Sequence, residues 1–280
     1  MIQEERFKIE IVLKLIKEQR RIMPRIGGKK LYSLLKNEFV KCNYKLGRDL
    51  FFEILKEHDL LVKRRKSYVK TTNSFHRYYV YKNLILELEI VRPNQVFVSD
   101  ITYIRVASGF MYLSLVTDLY SRRIMGWDLS DTLEAAGSIR ALIMALSYLN
   151  KNDELIHHSD RGVQYCSNDY VSILVSNNVK ISMAEQGNPY ENAVAERVNG
   201  ILKDEFFLDQ DFISAKIAQK STNQAIETYN EYRPHWSLDL DTPSKRYFGI
   251  INNENTETFS PLKRATQPQT QLNQEYLVNF

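Results

Sequence analysis

The stretch from Gln95 to Ser130 constrains this chain most. QVFVSDITYIR, FMYLSLVTD and IMGWDLS follow one another directly, each rich in β-branched and aromatic residues, with only short turns such as YSRR between them. Runs of this kind read as neighbouring strands. QVFVSDITYIR is apolar on both faces, so both of its sides need cover. Beyond it the pattern changes. A helix is expected over residues 133–149, then the short strand ELIHH, a helix over Asn168–Ser176 and the strand KISM. Strands first, then alternating helices and strands, predict a mixed α/β unit.

Three acids sit at telling places in this pattern: Asp100 inside the first strand, Asp160 just past ELIHH, and Glu196 in NPYENAVAERVNGILKDEF. Three elements could thus bring carboxylates to one point. At about 4 Å and an effective dielectric near 20, two like charges repel by roughly 4 kcal/mol, so such a cluster needs hard cations. All-oxygen ligation favours Mg²⁺ (or Mn²⁺) over zinc, and two such ions suit phosphodiester chemistry.

The Glu196 segment reads as a helix with Asn188 as N-cap, Pro189 at the first position and Glu191 as a capping acid. Val194, Val198, Ile201 and Leu202 form its apolar stripe, and Asn192, Glu196, Asn199, Gly200 and Lys203 share the other face. Glu196 and Lys203 are therefore expected to point together, with Lys203 able to hold a phosphate. Asp118 reads as a turn residue between strands, and His157 and His158 as packed or hydrogen-bonded.

VSDITYI, HHSDRGVQY and GNPYENAVAERVNGILKDE together resemble the second-frame (OrfB) transposase of the insertion-sequence-three family, within the DDE transposase and retroviral integrase superfamily, over residues 24–248. Thirty-five residues separate Asp160 from Glu196, as in that superfamily. With 34 acids in 280 residues the spacing alone is weak, and the motifs carry the likeness. The resemblance implies a ribonuclease H-like core, a mixed five-stranded sheet with flanking helices, preceded by a small helix-turn-helix domain. It also implies Asp100, Asp160 and Glu196 as catalytic ligands of two Mg²⁺ ions, a base at Lys203, DNA as substrate, a homo-oligomer as the working complex, and an upstream-frame protein or fusion. Many relatives carry Trp-Asp where this chain has Tyr190 and Glu191. Arg233, His235, Thr242 and Pro243 match the family's C-terminal signature, for which a structural or DNA-facing role is expected.

Charge is divided along the chain. Residues 1–82 hold 21 Lys and Arg against 9 Asp and Glu, a balance of +12, whereas residues 83–280 hold 17 against 25, a balance of −8. A basic module of this strength is an electrostatic footprint for phosphates. Within it, residues 4–22 read as an amphipathic helix stopped by Pro24, RIGGKKLYSLLKNEF as a glycine turn and second helix, and GRDLFFEILKEHDLLV as a third, with Leu50, Ile54 and Leu55 inward. Arg48 at the start of the third is a candidate DNA contact. Lys63, Arg64, Arg65 and Lys66 open a basic, aromatic-rich linker able to follow a DNA backbone.

The expected organisation is a helical DNA-binding domain over 1–62, the linker over 63–91, the catalytic core over 92–250 and a polar, mobile tail over 251–280. Only Cys42 and Cys166 are present, which argues against a disulfide framework and a zinc module, and no apolar run suits a membrane span. A soluble cytoplasmic protein is expected. The expected function is a DNA transposase that nicks and joins the ends of an insertion element. A ribonuclease H-like nuclease without strand transfer, or a silent DNA-binding inhibitor of transposition, remain the alternatives.

Overall fold

The computed structural model describes residues 2–62, 78–150, 153–185 and 192–254, with side chains described for 6–62, 78–150, 153–185 and 192–249. It opens with three helices, α1 (Ile2–Ile22), α2 (Gly28–Lys41) and α3 (Arg48–Glu57). Helix α1 stops two residues before Pro24, whose ring cannot extend a helix. Gly28 starts α2 so close to α3 that a Cβ there would stand 2.9 Å from the Phe52 ring. The helices close around Leu31, Leu35, Phe39, Phe51, Ile54 and Leu55. Here one expectation is corrected: Leu50 is 44% exposed and Phe51 takes the inward position, where it packs its ring 5.5 Å from Tyr32 and 5.7 Å from Phe39.

The sheet follows. Strands β1 (Val96–Val106), β2 (Gly109–Asp118) and β3 (Ile124–Ser130) form an antiparallel meander. Gly109 closes the first hairpin at φ +129°, a conformation open to glycine. The second turn is organised by Asp118, whose fully buried carboxylate accepts from the backbone N–H groups of Ser121 (2.7 Å) and Asn94 (2.9 Å). Asp118 is thus the turn residue its sequence context suggests.

Helix α4 (Ala135–Leu146) crosses back, shorter at both ends than the periodicity predicts. It lies very close to β3: a Cβ on Gly126 would stand 2.7 Å from the Ala145 nitrogen. Strand β4 (Ile156–Ser159), helices α5 (Val163–Cys166) and α6 (Asn168–Ser176), and β5 (Lys180–Met183) complete the sheet, in the order β3-β2-β1-β4-β5, with β4 and β5 parallel to β1. This mixed five-stranded sheet with flanking helices is the ribonuclease H-like architecture. Helices α7 (Ala193–Glu205), α8 (Ala215–Glu231) and α9 (Pro243–Glu254) follow. Ser214 caps helix α8 by accepting from the Ile217 N–H.

Each face of the sheet is covered. On one, Phe97, Val116 and Met125 meet Ala141, Leu142, Tyr170 and Leu174 of α4 and α6. On the other, Ile104, Leu113 and Leu115 meet Val198, Leu202, Ile226 and Tyr229 of α7 and α8. That second cluster continues without a break into Val12, Ile16 and Leu31 of the N-terminal helices. Backbone hydrogen bonding joins them too, from the Arg25 N–H to the Glu205 carbonyl at 3.2 Å.

Candidate active site

Strand β4 pairs with β1 only as far as Ser99 and Ser159. Asp100 follows on β1 and Asp160 lies just past the end of β4. Crevices at the carboxyl ends of parallel strands are where open α/β sheets take ligands. The side chains of Ser99 and Asp100 leave β1 on opposite faces because strand side chains alternate. The Ser99 hydroxyl meets His157 Nε2 at 2.8 Å, and the Tyr170 hydroxyl meets the same nitrogen at 2.8 Å. His157 is buried, and burial followed by the charge of His158 lowers its pKa to about 3. It is a neutral support that fixes β1 beneath the acids. His158 is likewise internal, 2.8 Å from the Ser182 hydroxyl.

Asp160 is held by its own turn. Its Oδ1 accepts from the Gly162 N–H at 2.9 Å, and a Cβ on Gly162 would stand 2.9 Å from that oxygen. Arg161 anchors the loop by donating to the Ala184 carbonyl at 2.8 Å.

Helix α7 approaches from the other side. It begins at Ala193 with Asn192, a turn residue, in the N-cap place, later than the expected start at Asn188 and Pro189; those two and Glu191 lie outside the described residues. Two amides tie it to β1. Asn199 Nδ2 donates to Asp100 Oδ2 at 2.8 Å, and Asn192 Nδ2 to the Ser99 carbonyl at 3.2 Å. Glu196 stands on the first turn, exposed.

Protein packs densely round Asp100 even though it keeps some surface in the cleft. Burial, then the charge of Asp160, raises its pKa to about 7; Asn199 opposes the shift, and Glu196 adds a smaller push upward. Asp100 therefore feels the charge of both other acids. Among the described residues no three His, Cys, Asp or Glu side chains stand close enough to share one ion.

Lys203 is buried, and its ammonium lies 4.1 Å from the Tyr103 ring centre. Burial lowers its pKa to about 8, with Asp100 pulling the other way. The same cleft, about 630 Å³, is lined by Asp100, Asp160, Tyr103, Phe110 and Gln164. Buried Tyr165 sits behind the acids, its phenol pushed well above the ordinary value by burial and then Asp100.

The remaining candidates lie elsewhere. Arg48 is the first residue of α3, exposed and 3.1 Å from Asp49. Lys63, Arg64, Arg65 and Lys66 lie outside the described residues. Arg233 is almost fully buried, holds Glu205 through two hydrogen bonds of 2.7 and 2.8 Å, and donates to His235 Nε2 at 2.8 Å. The C-terminal signature is thus structural at these two positions. Sequence reasoning missed Asn199 as the partner of Asp100. Its place one helical turn after Glu196 was the available signal.

Comparison with known proteins gives a consistent answer. The integrase core domain family matches residues 91–189, and a second integrase core model matches 177–243. The chain is 33% identical over 243 residues to the 31 kDa protein of insertion element IS600 from Shigella sonnei, covering 86% of each. It is 40% identical over 144 residues to transposase InsF for insertion sequence IS3A of Escherichia coli (strain K12), spanning 51% of this chain and 50% of that one. Among solved structures, the HTLV-2 integrase catalytic core domain in complex with magnesium aligns with TM-score 0.45 and 19% identity, over 56% of this chain and 98% of that one. A simian T-cell lymphotropic virus intasome chain aligns with TM-score 0.48 and 16% identity, over 92% and 80%. The match to the IS600 protein along most of both chains, with the integrase core over the strands and helices that carry the acids, places this chain in the insertion-sequence-three family of DDE transposases.

Proposed function

We propose that the chain nicks and joins the ends of an insertion element, with Asp100, Asp160 and Glu196 as its catalytic carboxylates. The observation that carries this is the position of Asp100 and Asp160, each one residue past the last β1–β4 pair (Ser99 and Ser159), with Asp100 raised to about 7 by burial and by its neighbour. Like charges kept together inside a fold favour a cation that relieves them. The donors are hard carboxylate oxygens, which fit Mg²⁺ or Mn²⁺. Glu196, on the face of α7 that Asn199 ties to Asp100, would complete the set by a small approach of the helix start.

Bound there, two Mg²⁺ ions would supply Lewis-acid stabilisation of the attacking and leaving oxygens of a phosphodiester. The protein's own part is positional. Asn199 keeps the Asp100 carboxylate turned into the cleft, Gly162 does the same for Asp160, and His157 fixes β1 from behind. Lys203 would hold a DNA phosphate beside Asp100. Hydrolysis of one phosphodiester frees a 3′-hydroxyl, and attack of that hydroxyl on a second phosphodiester expels its leaving oxygen, with no covalent protein intermediate.

The basic helices of residues 1–62, with Arg48, and the linker 63–91, with Lys63, Arg64, Arg65 and Lys66, would grip DNA through phosphates. The core would occupy 92–250 and the polar tail 251–280. A homo-oligomer acting at cytoplasmic DNA, alone or fused to an upstream-frame protein, would be the working form. Among the described residues no helix is long and apolar enough to cross a membrane.

The test incubates purified chain with labelled element-end duplex and Mg²⁺ and resolves the products. Nicked and joined strands are expected, both lost with chelator. Nicked strands alone would reduce the protein to a nuclease, and binding without products would reduce it to an inhibitor.

A further inference from the structure

Strands β1 and β2 outrun their neighbour β4, which leaves β1 at Ser99. Past that point they form a ribbon whose two faces differ. One face is core, with Ile104 opposite Met111. On the other, Tyr103 stands opposite Tyr112 and Arg105 opposite Phe110. The Tyr103 and Phe110 rings meet edge to face, 5.4 Å apart and at 86°. Phe110 is 53% exposed, and all three rings line the same cleft as Asp100 and Asp160.

Such a shelf has a chemical meaning. Large aromatic surface left in water beside two carboxylates is poor cover for an aliphatic ligand, since its acids would then be buried without partners. A nucleobase suits it: its flat π-face stacks on the rings, and its own phosphate reaches toward cations. Lys203 supplies one over Tyr103, and Arg105 a second at the ribbon edge, paired at 2.8 Å with Asp211. A cavity of about 630 Å³ lies within the usual range for small-ligand sites. Bases in a duplex have no free face, so the base seated here must have left the stack.

We infer that Tyr103, Phe110 and Tyr112 form a seat for one unstacked base of the DNA strand whose phosphodiester lies at Asp100 and Asp160. The inference rests on the catalytic reading of those acids. It adds that the substrate is engaged with a base displaced, so that the chain favours frayed or single-stranded ends over closed duplex.

The probe is a short duplex carrying a single-stranded overhang with 2-aminopurine, compared with its blunt counterpart, each titrated with the full chain. The wild type should bind the overhang about tenfold more tightly than the blunt duplex and quench the 2-aminopurine by stacking. Phe110→Ala, at an exposed position that folding tolerates, should bind both probes alike and lose the quench, and Phe110→Trp should restore both. Equal preference and quench in Phe110→Ala and in the Phe110→Ala/Tyr112→Ala pair would overturn the seat. So would a change confined to the sedimentation of the protein, which would make the shelf a contact between copies. Asp100→Asn separates this from the catalytic reading: overhang preference should persist while cutting stops. Continued cutting by that variant would defeat the catalytic assignment and leave the seat standing.

Discussion

At the N-terminal end of α7, Asp100 faces Asp160 and Glu196 with like charge; at its C-terminal end, Glu205 is wrapped by Arg233 and Lys30. Both places bury ionisable groups, and the electrostatics differ in sign. Burial alone would raise the Glu205 pKa, yet the two hydrogen bonds and the charge of Arg233, with Lys30 3.7 Å away, bring it below the ordinary value. Lys30 in turn is lowered to about 8, chiefly by burial and then by Arg233. Asp100 receives the Asn199 amide and the Ile101 backbone N–H, with no cation paired to it in those bonds, and remains high. Where charge is cancelled inside the fold, the cluster is a clasp between α2, α7 and the segment just past α8. Where it is left unbalanced beside a cleft, the protein is arranged to meet a ligand of the opposite sign.

The largest expected effects fall at the unbalanced end. Asp100→Asn, Asp160→Asn and Glu196→Gln should each abolish cleavage and joining while DNA binding stays near wild type, as gel assays of products and complexes would show. Turnover surviving in one of them would remove that acid from the set. The clasp should behave in the opposite manner. Arg233→Met strands Glu205 against a buried apolar partner and should cost about 3–5 kcal/mol of stability in a denaturant titration, most of it recovered when Glu205→Leu is added. A variant as stable as wild type would mean that the ion pair does not hold the helices.

A smaller effect is expected where a neutral residue serves the charged site. Asn199→Ala should leave stability almost untouched and lower activity about 10–100-fold, with a higher Mg²⁺ requirement, because the Asp100 carboxylate loses its orienting donor. An unchanged Mg²⁺ titration would assign the amide to packing.

The smallest effect concerns pH, and its sign distinguishes the two ends. His235 accepts from Arg233, and burial followed by that charge lowers its pKa to about 2. The unfolded chain then takes up a proton near pH 6.5 that the folded one refuses, so stability falls with acid from about pH 6.5 downward, by up to about 1.4 kcal/mol per pH unit. Asp100 works in reverse: its folded form holds a proton from about pH 7 down, so acid stabilises it until the unfolded carboxyl also protonates near pH 3.9. Between pH 6.5 and 5, without divalent cation, His235→Gln should flatten the acid loss and Asp100→Asn should steepen it. Equal slopes in both variants would mean that neither group titrates as placed.

Much of this was legible before any coordinates. The three strands of the meander, the short strand before Asp160, and α6 lie where local alternation and periodicity put them, because those patterns report which side of an element is apolar. The errors are local ties that tertiary packing broke. In DLFFEI, Leu50 and Phe51 are both apolar neighbours on a helix, and the aromatic won the inward place because Tyr32 and Phe39 offered ring contacts. Lys203 was expected on a face shared with Glu196. It feels the charge of Asp100 but is buried, with its ammonium over the Tyr103 ring.

By itself the sequence determined the class of the core and the family motifs in which the three acids stand, since each motif is written in consecutive residues. Tertiary structure alone decided that β4 leaves β1 one residue before both aspartates, that Asn199 reaches Asp100, that Arg233 closes on Glu205 from twenty-eight residues away, and that the N-terminal helices share a core with α7 and α8. Those are pairings between distant segments. Many partners would satisfy each segment alone, and only the joint packing of all of them selects one.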